Sequence, residues 1–412
     1  MIKEKKLPNG WAIKPMTEVV TWGSGGTPKA TESQYYDNGD IPWLIIGDLN
    51  DGVVTESQSK ITELGLKNSS AKIIPAGTLL VAMYGSIGKL GITGIECCTN
   101  QAIAFAKELR GVSTKYMFYY MAMMKSKLIS MGKGGTQNNI SQTILKSLNV
   151  IVPPPEVQDN LVFRIEEIFS ELDKAVETLQ NTKQQLAVYR QAVLKEAFEG
   201  RFTNRIKPRF VNLGEFIEKP KYGTSKKCDY QTGSSYTPVF RIPNIDARNG
   251  IINHDDLKYA EFEENELLNL NLETGDLLII RSNGSVSIVG TVAMIREIDT
   301  SCTFAGYLMR LRIKNKEYLL PKYLLYYLSS FEARMYIERV AKSTSGVNNV
   351  NAQEISNIVI PYVASAEQAL IVTEIEARLS MYDNIEKTVD YALAQAEAMR
   401  QSILKQAFEG GL

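Results

Sequence analysis

The stretch Arg190-Gln-Ala-Val-Leu-Lys-Glu-Ala-Phe-Glu-Gly200 returns as Arg400-Gln-Ser-Ile-Leu-Lys-Gln-Ala-Phe-Glu-Gly410, with eight of eleven positions identical at an offset of 210. Self-similarity at one fixed interval marks an internal duplication. The same offset relates Gln158 to Gln368, Ile165 to Ile375 and Asp173 to Asp383. Farther upstream the match loosens. Gly77-Thr-Leu-Leu80 recurs as Gly275-Asp-Leu-Leu278, Gly85-Ser86 as Gly284-Ser285, and Asn138-Asn139 as Asn348-Asn349. The order of parts is globular (1–153), helical (154–203), globular (204–361) and helical (362–412). Similar helices with divergent globular parts suggest one scaffold carrying two different specificities.

After Pro153-Pro-Pro155 the chain reaches Gly200 without another proline or glycine, and Pro361 breaks it before the second helical segment. Apolar residues recur every seven positions: Ile165, Leu172, Leu179, Leu186 and Val193. A second row, Leu161, Ile168, Ala175 and Tyr189, is interrupted by Thr182 and Glu196. The other copy gives Ile375, Tyr382, Val389, Ala396 and Ile403, beside Ile371, Ile385, Ala392 and Met399, with Arg378 and Gln406 as interruptions. This is an a/d seam, and each copy stops at Glu-Gly, a helix-end signal. A lone seam usually serves oligomerisation. Two matching seams in one chain point to an intramolecular antiparallel pair, giving an α+β protein in which two mixed α/β domains are joined by two long antiparallel coiled-coil helices. The domains would then be related by an approximate two-fold, the arrangement with which proteins meet two half-sites on a duplex.

The 412 residues exceed what one core usually supports. Net charge is zero, yet it is unevenly placed. Residues 1–153 carry 16 basic and 11 acidic side chains and residues 204–361 carry 20 and 18. The helical segments 154–203 and 362–412 carry 6 and 9, and 4 and 8. Basic globular parts alternate with acidic helices, and a basic face on a neutral protein can still meet phosphates. Cys97, Cys98, Cys228 and Cys302 form no C-x-x-C pair and read as thiols of a reducing compartment. Met1-Ile-Lys-Glu-Lys-Lys6 lacks the apolar stretch of a signal peptide, and no run approaches the roughly 18 apolar residues of a membrane helix. A soluble cytoplasmic protein is expected.

Ile41–Ile46, Gly77–Val81 and Gly275–Ile280 read as strands, and Tyr116–Met124 and Tyr323–Leu328 as buried helices. Three polar loops occur in each copy. The first has Ser24-Gly-Gly-Thr-Pro-Lys29, Tyr84-Gly-Ser-Ile-Gly-Lys89 and Gly132-Lys-Gly-Gly-Thr-Gln-Asn-Asn139. The second has Tyr222-Gly-Thr-Ser-Lys-Lys227, Arg281-Ser-Asn-Gly-Ser285 and Lys342-Ser-Thr-Ser-Gly-Val-Asn-Asn349. Lys, Arg, Ser and Thr suit phosphate oxygens, while Asn, Gln and Arg can bond base edges. Ordinary turn chemistry uses the same residue types, but three such loops in both copies favour the nucleic-acid reading. Candidate DNA-binding residues are Thr27, Lys29, Tyr84, Ser86, Lys89, Lys133, Gln137, Asn138 and Asn139 in the first copy. In the second they are Thr224, Lys226, Lys227, Arg281, Asn283, Ser285, Lys342, Asn348 and Asn349.

Gly-Gly-Thr-Pro followed by Tyr35-Tyr-Asp-Asn-Gly-Asp-Ile-Pro-Trp43 resembles the opening of a target-recognition domain of type I restriction–modification specificity subunits. Gly85-Ser-Ile-Gly-Lys89, Thr99-Asn-Gln-Ala102, Gly135-Thr-Gln-Asn-Asn-Ile140 and Ile151-Val-Pro-Pro-Pro155 resemble later stations of that family. The second copy departs from that pattern at Tyr222-Gly-Thr-Ser-Lys226 and Ser285-Val-Ser287. The resemblance implies a non-catalytic subunit that reads a split double-stranded DNA target, one half per domain, with the helices fixing the unread gap. It implies two methyltransferase partners, restriction–translocase partners and no membrane partner. It also implies that S-adenosylmethionine is held by the methyltransferase, so no cofactor belongs to this chain.

Enzymatic alternatives have little support. His254 is the one histidine, placed in Ile251-Ile-Asn-His-Asp-Asp256, and reads as a surface loop residue. Gly85-Ser-Ile-Gly-Lys89 fails as a phosphate loop because Met83 and Leu90 stand at the wrong positions. A stand-alone DNA-modifying enzyme and a coiled-coil scaffold without DNA function are the remaining readings. Activity of the pure chain would favour the first, and an unrelated co-purifying partner the second.

Overall fold

The computed structural model describes residues 7–132, 138–202, 208–344 and 346–412, with backbone alone at 342–344. The chain divides into two compact units, residues 1–180 with 390–412, and residues 181–389. Both division points fall inside long helices, Pro155–Phe198 and Ser365–Phe408, of 44 residues each. Each unit therefore holds the first part of one helix and the last part of the other.

The repeated glutamine fixes each helix start. In the first unit Gln158 Nε2 donates to Pro153 O (3.0 Å) and Gly111 O (2.8 Å), and Oε1 accepts from Ser113 N (3.1 Å). In the second, Gln368 donates to Val363 O and Tyr318 O, both at 2.8 Å, and accepts from Leu320 N at 2.8 Å. The helix ends are fixed by the repeated Ala-Phe-Glu-Gly. Gly200 and Gly410 take φ +79°, which ends a helix cheaply only at glycine. Just before them, Phe408 meets Tyr116 (5.2 Å) and Tyr120 (5.1 Å) edge-on in the first unit, and Phe198 meets Tyr323 (5.2 Å) and Tyr327 (5.1 Å) in the second. The phenols anchor the same walls: Tyr120 donates to Asn149 O (2.9 Å) and Tyr327 to Val359 O (2.6 Å). Each helix thus begins beside its own globular segment and buries its last aromatic in the other unit.

Within each unit the two helical portions run antiparallel. In the first, Leu161 and Ile165 share a core with Leu404 and Phe408, and Asp173 pairs with Arg400, whose guanidinium lies 4.9 Å above the Phe169 ring. In the second, Glu196 pairs with Arg378 (3.4 Å), which stacks 4.2 Å over Phe202. One heptad row is a true seam. Ile165, Leu186, Val193, Ile375, Tyr382, Val389 and Ala396 are buried, and Leu172, Leu179 and Ile403 are half-buried. The other row is covered in part: Leu161 and Ile371 are buried and Ile168 and Ala392 half-buried, but Ala175, Tyr189, Ile385 and Met399 are exposed. The second row is covered only where the globular strands reach it.

Each globular part is built on the same sheet. In the first unit the strand order is Val20–Ser24, Ile103–Leu109, Leu79–Ala82, Leu90–Thr93 and Gly52–Val54. The second repeats it as Lys221–Tyr222, Leu308–Leu311, Leu277–Ile280, Val292–Met294 and Ile251–Ile252, extended by Ile245–Asp246. Strand alternation explains why these central strands read as continuous apolar runs. Leu79 and Val81 join the core shared with the helices, while Leu80 and Ala82 join a separate cluster with Leu44 and Ile103. Leu277 and Ile279 face one core and Leu278 and Ile280 another in the second unit. A three-stranded sheet covers the far side, formed by Lys60–Ile61, Ile41–Leu44 and Cys98–Thr99, and again by Lys258–Glu261, Tyr236–Phe240 and Thr303–Phe304.

Candidate nucleic-acid interface

The first polar loop leaves the edge strand through a glycine that nothing else can replace. A Cβ on Gly25 would stand 1.8 Å from Thr99 O, and one on Gly223 would stand 2.3 Å from Phe304 O. Backbone contact closes both loops onto the next strand, Gly26 N to Thr99 O and Thr224 N to Phe304 O, each 2.9 Å. In the first unit Trp43 Nε1 donates to Gly26 O (3.0 Å) and Tyr36 OH to Pro28 O (2.5 Å). Thr27 and Lys29 are left exposed on a braced turn. Thr27 donates to Gln101, and Lys29 pairs with Glu32 at 3.2 Å. Gln101 is exposed and lies within the Thr99–Ala102 motif, so it belongs with the candidates although the residue-type reading omitted it.

The second and third loops are joined. Tyr84 and Asn139 form an antiparallel bridge, and Asn139 Oδ1 accepts from Gly85 N at 3.3 Å. Ser86, Lys89 and Asn138 line one cleft of about 430 Å³ with Lys125, which pairs with Asp51 at 3.2 Å. Lys89 Nζ donates to Ile46 O at 3.4 Å. Thr99–Ala102 connects this cluster to the first loop, since Met83 N donates to Ala102 O at 2.8 Å. Three separated sequence motifs therefore form one polar surface. Lys133 and Gln137 lie outside the described residues.

In the second unit the corresponding junction is a small sheet, with Ser282–Asn283 pairing Val347–Asn349, and Lys342–Thr344 beyond. Of Lys342 only the strand backbone is described. Asn283 Oδ1 accepts from Ser285 N (2.8 Å), and Ser285 Oγ shares a hydrogen with Ser287 Oγ (2.8 Å). Asn348 Nδ2 donates to Gly284 O (2.9 Å) and Asn349 Nδ2 to Val347 O (3.1 Å), so both amides also shape the loop. Thr224, Lys226, Lys227 and Arg281 line a single cleft. Lys226 is engaged there: it pairs with Glu266 (2.5 Å), donates to Glu261 O (2.9 Å) and lies 4.9 Å over the Phe262 ring. Lys227 is exposed. Arg241 and Lys258, which no sequence motif flagged, line the same cleft.

His254 sits in an exposed loop, with Nε2 2.6 Å from Oδ1 of the fully buried Asp299. Burial pushes the Asp299 carboxyl up, but hydrogen bonds from Arg296 and His254 outweigh it and hold it below the ordinary range. Cys97, Cys98 and Cys302 are buried, and burial pushes the first two to about 12 and the third to about 11, which suits inert thiols. Among the described residues no group of three His, Cys, Asp or Glu is placed to hold a metal, and no helix is long and apolar enough to cross a membrane.

Comparison with known proteins gives these parts a family. The model for the type I restriction modification DNA specificity domain matches residues 8–188 and again 208–392. The chain is 26% identical over 424 residues to the Type I restriction enzyme EcoKI specificity subunit of Escherichia coli K12, covering 99% of this chain and 90% of that one. It is 26% identical over 423 residues to the StySPI specificity subunit of Salmonella potsdam, with the same coverage. In fold it is similar to a chain from a solved type I R-M system assembly, with a TM-score of 0.74, 18% identity and coverage of 99% and 100%. The HsdS subunit from Thermoanaerobacter tengcongensis matches with a TM-score of 0.52, 17% identity and coverage of 100% and 99%. Two matches of one family model, each spanning one repeat, place this chain in the type I restriction–modification DNA specificity family.

Proposed function

We propose that the chain is the non-catalytic DNA-reading subunit of a type I restriction–modification complex. Each globular part meets one half of a bipartite duplex target. The observation that carries this reading is the duplicated scaffold with unlike loops. Gly25 and Gly223 hold equivalent first loops, yet Thr27-Pro28-Lys29 stands in one and Ser225-Lys226-Lys227 in the other. Equal frames with unequal polar side chains suit two different half-sites. Residue type assigns Lys29, Lys89, Lys133 and Lys226 to phosphates and Gln137, Asn138, Asn348 and Asn349 to base edges; Gln101 is added, and because Lys226 is held by Glu266 (2.5 Å) the exposed Lys227 takes its place.

The chain recruits two methyltransferase subunits and restriction–translocase subunits, and works in the cytoplasm without a cofactor of its own. Exposed apolar residues on the helices, Tyr189, Ile385 and Met399 among them, offer surface for such partners. The test is S-adenosylmethionine-dependent methyl transfer to duplex DNA by each component alone and by the mixture. Transfer is expected from the mixture, and activity of this chain by itself refutes the non-catalytic role.

A further inference from the structure

The second unit contains a cleft of about 650 Å³ lined by five cations, Lys226, Lys227, Arg241, Lys258 and Arg281, and by no carboxylate. Two of the five are already paired outside the lining, Lys226 with Glu266 (2.5 Å) and Arg241 with Asp256 (2.8 Å). Among the described residues no carboxylate pairs with Lys227, Lys258 or Arg281. Arg281 instead stacks 4.7 Å over the Tyr222 ring and donates from Nη1 to Gly306 O (3.2 Å), while its Nε is buried without a partner. Lys258 lies 4.8 Å over the Tyr230 ring. Aromatic faces position these cations without neutralising them. After hydrogen bonds from Tyr230 and Arg241, Lys258 also helps hold the nearby Asp256 carboxyl below its ordinary range. Among the described residues Lys227 and Arg281 have no carboxylate partner, and a concavity lined by cations alone makes a site for an anion.

The first unit lacks this arrangement at matching positions. Arg281 stands where Met83 stands in the first unit: Arg281 N donates to Tyr307 O and Val350 N to Arg281 O (both 2.9 Å), as Met83 N donates to Ala102 O and Ile140 N to Met83 O (both 2.8 Å). Arg241 N is capped by Asn244 Oδ1 (2.8 Å) as Ile45 N is by Asp48 Oδ2 (2.7 Å). Lys258 is paired with Val239 as Ser59 is bonded to Trp43. Where the second unit has Arg281, Arg241 and Lys258, the first has Met83, Ile45 and Ser59.

We infer that this cleft is a phosphate clamp found only in the second unit, with Lys227, Lys258 and Arg281 gripping a backbone phosphodiester of the bound duplex. The two units then hold DNA unequally: the second supplies the larger share of sequence-independent affinity. The inference rests on the DNA-reading assignment above and adds Lys258, which no motif marked, to the two loop residues Lys227 and Arg281.

The test compares the full chain, alone and with its methyltransferase subunits, with a triple variant Lys227→Gln, Lys258→Ser, Arg281→Met. The last two changes copy the first unit. A control variant, Lys72→Gln with Lys107→Gln, removes exposed charge from the first unit. Binding to a mixed-sequence duplex is followed by anisotropy over a salt series, and circular dichroism checks that each variant is folded. The slope of log affinity against log salt is expected to fall by roughly one for the triple variant, at about 0.9 per phosphate contact, and to stay unchanged for the control. An unchanged slope with intact duplex binding overturns the clamp and leaves the DNA-reading assignment standing. Wild-type protein that binds no duplex in either form overturns both. If inorganic phosphate stabilises wild type but not the variant while the slope is unchanged, the cleft takes a free anion, and its role as a clamp on the duplex backbone is wrong.

Discussion

Replacing Phe198 by alanine should loosen the second unit and spare the first, although Phe198 follows the first globular segment in sequence. Its ring is 9% exposed and packs edge-on against Tyr323 and Tyr327, in a core with Leu277, Ile279 and Ile375. Truncating a buried phenylalanine costs about 3–5 kcal/mol, the transfer and cavity contributions together. At roughly 1.4 kcal/mol per tenfold, local opening should become about 10² to 4 × 10³ times more frequent. A single unfolding free energy is poorly defined for two units, so the assay is hydrogen exchange read by peptide. Protection should fall in peptides covering Leu277–Ile280 and Pro321–Leu328 and hold in Leu79–Ala82 and Thr114–Met131. Phe408→Ala should give the mirror image, because Phe408 packs on Tyr116 and Tyr120. Equal loosening of both units, or loosening of the first by Phe198→Ala, would refute the exchange of helix ends.

Three other outcomes follow from particular side chains. Lys89→Ala should weaken binding to all duplexes alike and lower the salt slope by roughly one, whereas Asn138→Ala should cost about 1–3 kcal/mol at one target position. Anisotropy with a panel of single-site target variants checks both, and a selective Lys89 effect would reverse the assignment. Gly25→Ala and Gly223→Ala would each set a Cβ against a carbonyl oxygen. The overpacking should cost about 1–3 kcal/mol and displace the first loop, and wild-type duplex affinity in both would remove that loop from the interface. Asp299 has a carboxyl held below the ordinary range by Arg296 and His254, against the upward push of burial. A folded-state pKa below the unfolded one gives stability above the unfolded value that is lost as pH falls. The second unit should therefore unfold before the first on acidification, and Asp299→Asn should remove that difference, as followed by peptide-resolved exchange.

Much of this was legible in the chain. The repeated Gln158 and Gln368, and Phe198 and Phe408, were visible as an offset, and they mark the two ends of each helix in the fold. Apolar runs at Leu79–Ala82 and Leu277–Ile280 announced strands buried on both faces. Periodicity could not tell which heptad row would be covered. Ala175, Tyr189, Ile385 and Met399 repeat as regularly as the seam does, and exposure depends on what stands opposite, which spacing does not encode. Nor could the sequence assign Phe198 to the second unit, since the duplication is the same whichever core receives it. The loop residues were found by type, but Arg241 and Lys258 sit in ordinary strand and turn contexts, far from Arg281 in sequence. Only the small sheet beside the main one brings them to a common cleft.

The central claim is that the two globular parts read separate halves of one target. It is tested most directly by exchanging residues 1–153 for the matching part of another family member and mapping methylated sites in cells that carry the complex. One half of the methylated sequence should change while the other half stays as it was. Simultaneous change of both halves, or a map identical to that of the parent, would contradict the account.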